Sequence, residues 1–114
     1  MSNEIEYLFQ ELSDFIMEEM PFDYLPDLHE YSIESQSLIL IFTIEDGIFT
    51  ILLIEILGKK YSGIGTSVVD IIHEYANLHD FDVRASNVVD TARGFWEKMG
   101  YQESELQNSY FRAA

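Results

Sequence analysis

Hydrophobic residues along this chain follow two rhythms that alternate. From Asn3 to Met20, residues Ile5, Leu8, Phe9, Leu12, Phe15 and Ile16 recur every three or four positions, with Glu4, Glu11, Asp14 and Glu18 between them. The spacing predicts an amphipathic helix with Asn3 as N-cap, Glu6 as capping-box partner and Pro21 as its stop. Pro21–Glu34 keeps no sustained period and reads as an irregular connection, with room for a short turn or strand, whose aromatics cover the core. Ser37–Ile44 is an apolar run predicted as a strand, and Glu45-Asp46-Gly47 carries the Asp-Gly hairpin signal. The next run, Ile48–Leu57, is apolar at both parities, which predicts a central strand buried on both faces.

The period then becomes helical. Residues 64, 68, 71, 72, 75 and 76 share one face, while 66, 67, 70, 73, 74 and 77 share the other. Phe81–Ala85 follows the His79-Asp80 turn as a short strand. A strand, a helix and another strand in this order predict a crossover to a parallel neighbour. Ala92–Met99 reads as a second short helix, capped by Asp90 or Thr91 and ended by Gly100, and Tyr101-Gln102 with Ser109–Arg112 as a final hairpin. The alternation predicts an α/β (α+β) fold, a mixed central sheet with flanking helices.

At 114 residues the chain is expected to be one domain. An apolar fraction of 47% argues against disorder. Cysteine is absent, which removes thiol nucleophiles, disulfides and Cys-based zinc sites. His73 and His79 lie six apart and do not share a helical face, so no metal site is expected and both read as solvated; His29 has no evident partner. The start Met1-Ser2-Asn3-Glu4 is acidic where a signal peptide is basic, and no apolar run reaches the length of a membrane span, so a soluble cytoplasmic protein is expected.

Charge changes the picture more. The net charge is −15, and residues 1–58 hold thirteen Asp and Glu without one Lys or Arg. Such a surface repels phosphates, which argues against nucleic acid as a direct partner. It favours a basic partner: a polyamine, a lysine-rich segment, or a protein surface that itself binds nucleic acid. The alternative is a solvated acidic surface that serves solubility alone.

The candidate chemistry lies between the long strand and the helix, in Gly58-Lys59-Lys60-Tyr61-Ser62-Gly63-Ile64-Gly65. Glycines at the mouth of a helix let the backbone approach a ligand, and a helix amino end attracts anions, phosphate above all. Gly58 and Gly63 have P-loop spacing, but Ile64-Gly65 stands where that motif needs Lys and Ser/Thr, so an NTPase is excluded. Gly63-Ile64-Gly65 lacks the third glycine of a dinucleotide fingerprint, where Val68 stands.

Lys60-Tyr61-Ser62-Gly63-Ile64-Gly65 resembles the acyl-CoA loop of the GNAT superfamily of N-acetyltransferases, Q/R-x-x-G-x-G/A, with Lys60 in place of Gln or Arg. Ala92-Arg93-Gly94-Phe95-Trp96-Glu97-Lys98-Met99-Gly100-Tyr101 is similar to that family's closing segment, A-x-x-x-Y-E-K-x-G-F. The likeness covers about 37–112, the expected CoA-binding core; 1–36 is an acidic helix and connection that does not match. It implies that acetyl-CoA lies between two splayed parallel strands, Ile48–Leu57 and Phe81–Ala85, and that an amine attacks the thioester directly. The pyrophosphate would rest on Lys60, Tyr61, Ser62, Gly63, Ile64, Gly65 and Thr66, and the pantetheine on backbone around Leu53, Ile54 and Glu55. Asn87 would also touch the pantetheine, and Trp96 would wall the cofactor. Glu55, the sole charge in its strand, is the candidate base, on the expectation that burial raises its pKa; the alternative is a strand-end carboxylate that simply reaches water. The family's usual acidic Tyr is Trp96 here, and an indole cannot protonate a thiolate, so Tyr101, Tyr110 or water is left for that step. The competing reading is a non-catalytic GNAT-like acidic protein that binds and inhibits a basic or nucleic-acid-binding partner.

Overall fold

The computed structural model describes residues 3–16, 22–27, 29–56, 64–86, 88, 92–104 and 109–112. Helix α1 spans Asn3–Ile16. It is followed by β1 (Phe22–Leu25), β2 (Glu30–Glu34), β3 (Leu38–Glu45), β4 (Ile48–Ile56), α2 (Ile64–Leu78), β5 (Asp82–Ala85), α3 (Arg93–Lys98), β6 (Gln102–Glu103) and β7 (Tyr110–Arg112). The strands form one sheet in the order β1-β2-β3-β4-β5-β7-β6. All neighbours are antiparallel except β4 and β5, which are parallel and joined through α2.

Both α1 and α2 pack on one face of the sheet. Leu8, Phe9 and Leu12 of α1 and Val68, Val69, Ile72, Tyr75 and Ala76 of α2 are buried. Phe9 meets Phe42 of β3 at 6.5 Å between ring centroids, and Phe49 of β4 meets Tyr75 at 6.1 Å. A file of rings crosses this face, Tyr24–Tyr31 at 4.6 Å, Tyr31–Phe42 at 5.2 Å and Phe42–Phe49 at 4.5 Å, the last two pairs stacked. Large flat side chains on neighbouring strands interlock this way at little entropic cost, having two side-chain torsions each.

Several expectations need correction. The segment read as an irregular connection is a β-hairpin, with Phe22↔Ile33 and Tyr24↔Tyr31 in register. Its period-two pattern is short and is interrupted by Pro26 and by His29, which adopts a left-handed φ of 53°. The stripe of α1 is narrower than its periodicity implies, since Phe15 is 42% exposed. The expected end at Met20 and Pro21 lies outside the described residues. Ala92 is the N-cap of α3 and makes no side-chain cap; Asp90 and Thr91 lie outside the described residues.

The largest correction concerns β4. It is not buried on both faces along its length: Phe49 and Ile51 are buried, while Leu53 is 42% exposed and Glu55 is exposed. Pairing with β3 passes from Phe42↔Ile51 to Ile41↔Leu53, which leaves Leu52 as an extra residue, a β-bulge. Because cross-strand partners share a face, the bulge moves the core-facing set from odd positions (Phe49, Ile51) to even ones (Ile54, paired with buried Leu40). Apolar residues at both parities thus record a change of face, not double burial.

Candidate active site

The bulge coincides with the end of the parallel pair. β4 and β5 are in register from Ile48↔Asp82 to Ile51↔Ala85, and the Ser86 amide donates one last bond to the Ile51 carbonyl at 2.9 Å. Among the described residues nothing pairs with β4 on that side beyond this point. The strands part into a notch holding a cavity of about 140 Å³. Ile51, Leu52, Leu53 and Ile54 line one side, Ala85, Ser86 and Val88 the other, and Ala92 and Trp96 come from the α3 side. The site is therefore an apolar slot bordered by β4 backbone that is unpaired among the described residues, suited to a narrow chain carrying amide groups.

Helix α2 begins at Ile64, with Gly65 and Thr66 in its first turn and no acidic residue there. A helix joining parallel strands runs back against them, so its amino end lies where β4 and β5 part. Its free N–H groups and positive end of the helix dipole face the same end of the sheet as the notch. Lys60, Tyr61, Ser62 and Gly63 lie outside the described residues, as does Asn87.

Of the residues singled out in the sequence, Leu53, Ile54 and Trp96 come together around the cavity. Trp96 is buried there and is the only tryptophan of the chain. Glu55 points away from the core from an exposed position, opposite Ile39, so the expected burial is not found. Tyr101 is buried and does not line the cavity. Its amide donates to the Trp96 carbonyl at 3.0 Å, its ring meets the indole edge-on at 4.9 Å, and its hydroxyl lies 2.7 Å from His73 Nε2. Tyr110 is fully buried, with its hydroxyl 3.4 Å from Glu97 Oε2.

His73 corrects the reading of a solvated histidine, being 7% exposed. The signal was present, since Val69, Ile72, His73 and Ala76 are spaced as one helical stripe. Burial lowers its pKa to about 4; Arg112 acts in the same direction and Asp70 against it. Burial pushes the Tyr101 phenol up, with Arg112 opposing. A neutral imidazole and a protonated phenol thus form the pair, whichever of them donates. Leu52, Ser86, Val88 and Ala92 are not singled out from the sequence, because their place in the lining depends on where the two strands separate. Among the described residues no group of His, Asp or Glu could hold a metal ion, and no helix is long and apolar enough to cross a membrane.

No family model and no curated protein matches the sequence. Solved structures do. The anti-CRISPR protein AcrVA5 superposes with a TM-score of 0.62 at 16% identity, over 75% of this chain and 98% of that one. An acetyltransferase of Bacillus subtilis, crystallised with CoA, superposes with a TM-score of 0.53 at 12% identity, over 100% of this chain and 93% of that one. With a mixed sheet of seven strands among the described residues, a splayed parallel pair and flanking helices, the chain has a GNAT-like fold.

Proposed function

We propose that the notch between β4 and β5 receives the pantetheine arm of acetyl-CoA, and that the chain is an N-acetyltransferase acting on a basic amine, a protein lysine or a polyamine. One observation carries this reading: the parallel pair ends at Ile51 and Ala85 and opens an apolar cavity edged by β4 backbone that is unpaired among the described residues, at the end of the sheet where α2 begins. The likeness to an acetyltransferase crystallised with CoA supports it.

Bound acetyl-CoA supplies an activated thioester; the chain supplies position and electrostatics. Backbone groups of Leu52–Ile54 hold the pantetheine amides, and the N–H groups of Lys60–Thr66 hold the phosphates. Trp96 excludes water from one wall. A backbone N–H in Ile54–Ile56 would stabilise the negative charge that develops on the thioester carbonyl oxygen. Exposed Glu55 would accept the amine proton through water as the C–N bond forms and the C–S bond breaks. Tyr101 is engaged by His73, so water protonates the departing thiolate.

Mixing the protein with acetyl-CoA and spermidine, or a lysine-containing peptide, tests this through release of free CoA thiol and the mass of the acetylated amine. Catalytic thiol release is expected; none above the rate without protein contradicts the reading. The absence of Lys and Arg from residues 1–58 favours a second reading, an acidic module that acts by binding alone. Gly65→Val separates the two. A branched side chain in the first turn of α2 blocks close approach of a pyrophosphate, so an enzyme loses CoA binding and acetyl transfer together, whereas a binding module keeps its full effect on its partner.

A further inference from the structure

The sheet has a second face, and its residues follow from the register. On it Glu34, Ile39 and Glu55 form one row across the strands, and Asp23, Ser32, Ile41 and Leu53 form the next. Glu30 and Thr43 sit beside Thr50, Arg84 and Phe111 in a third row, and Glu45, Ile48 and Asp82 form a fourth. The result is an apolar centre of Ile39, Ile41 and Leu53 with carboxylates around it.

This face is not part of the core. Ile39, Ile41, Leu53 and Phe111 belong neither to the buried cluster nor to the hydrophobic residues packed against it. Helices α1 and α2 both lie on the other face, as the Phe9–Phe42 and Phe49–Tyr75 contacts require. Leu53 and Leu25 are 42% and 48% exposed. Among the described residues Arg84 is the one base on this face, against six acids, and its Nε is buried without a hydrogen-bond partner. Leu53 also lines the notch, so the face runs without a break into the cavity mouth.

We propose that this face docks a cationic protein segment with interspersed apolar side chains. Apolar residues would cover Ile39, Ile41 and Leu53, while lysine or arginine heads meet the surrounding carboxylates. Charge complementarity selects this occupant: an acidic or neutral segment would crowd the carboxylates of Asp23, Glu30, Glu34 and Glu55 around the apolar centre without offsetting their charge. The inference concerns binding and stands apart from acyl transfer, except that a segment on this face brings its lysines to the notch.

The test is fluorescence anisotropy with a labelled peptide of alternating lysine and leucine, in low salt and without CoA. Two charge-reversal pairs are compared: Asp23→Lys with Glu34→Lys on the sheet face, and Glu6→Lys with Glu74→Lys on the helices. Each moves the net charge by four, from −15 to −11, so a purely global charge effect weakens both equally. The sheet-face pair is expected to lose about tenfold in affinity and the helix pair under about threefold, since each reversal turns an exposed attraction into a repulsion. Asp23→Asn with Glu34→Gln, milder for the fold, is expected to lose an intermediate amount. Equal losses in the two reversal pairs, no binding by the wild type, or equal affinity for a lysine homopolymer of the same charge would each overturn the proposal.

Discussion

At the scale of single residues, the His73–Tyr101 contact makes the sharpest claims. It ties α2, whose amino end lies at the same end of the sheet as the notch, to the turn that follows Trp96. Tyr101→Phe leaves a buried imidazole nitrogen without its partner, and chemical denaturation should show a loss of about 1–3 kcal/mol. The pair also fixes a pH dependence. His73 has its pKa lowered in the folded state to about 4 from 6.5, so between these values the unfolded chain binds more protons. Stability from keeping His73 neutral is therefore present above about pH 6.5 and is lost as pH falls towards 4, by up to about 1.4 kcal/mol per pH unit. The many carboxylates titrate in part of the same range, so the measurement is the difference between wild type and His73→Gln, whose profile should lack this slope. By sequence His73 falls on the polar face of its helix and reads as solvated, although its spacing from Val69, Ile72 and Ala76 sets it beside buried neighbours. Its partner was not legible, because Tyr101 lies 28 positions away and only the sheet brings the two together.

At the scale of elements, β4 shows why pattern reading succeeded and where it stopped. The hydrophobic run, the Asp-Gly turn and the helix after it gave strand, hairpin and crossover correctly. Asp46 and Gly47 both have positive φ, 52° and 76°, as a two-residue hairpin turn requires. Gly47→Val should cost about 1–2 kcal/mol on thermal unfolding, from strain at that φ and not from a clash, since nothing lies within 4 Å of an added Cβ. A bulge, by contrast, is written in the register of two strands and not in the composition of one. Deleting Leu52 would join Ile51 to Leu53 with the same partners and the same faces, giving a straighter β4. The variant is expected to remain folded by circular dichroism but to lose the thermal shift given by acetyl-CoA. A full ligand-induced shift in the deletion would show that the bulge does not shape the site. The β1–β2 hairpin was missed for a related reason. Its two apolar pairs are too few to establish a period, and partnership with β3 overrides the weak local signal.

At the scale of the whole molecule, twenty-one acids against six bases make the folded chain repel itself. Added salt should therefore raise the melting temperature and, on the same grounds, weaken binding to any basic partner. The fold was legible because hydrophobic periodicity, turn residues and the two segments resembling an acyl-CoA domain agree with one another. The splay that makes the cavity was expected from that resemblance alone. In the proposed function the cavity holds acetyl-CoA, and Trp96, the one tryptophan of the chain, stands in its wall. Titration of acetyl-CoA against Trp96 emission, excited selectively over tyrosine, tests it directly. A saturable change in intensity or wavelength is expected, abolished by Gly65→Val while its circular dichroism stays native. Emission unchanged up to millimolar acetyl-CoA, with no rise in melting temperature, would contradict it.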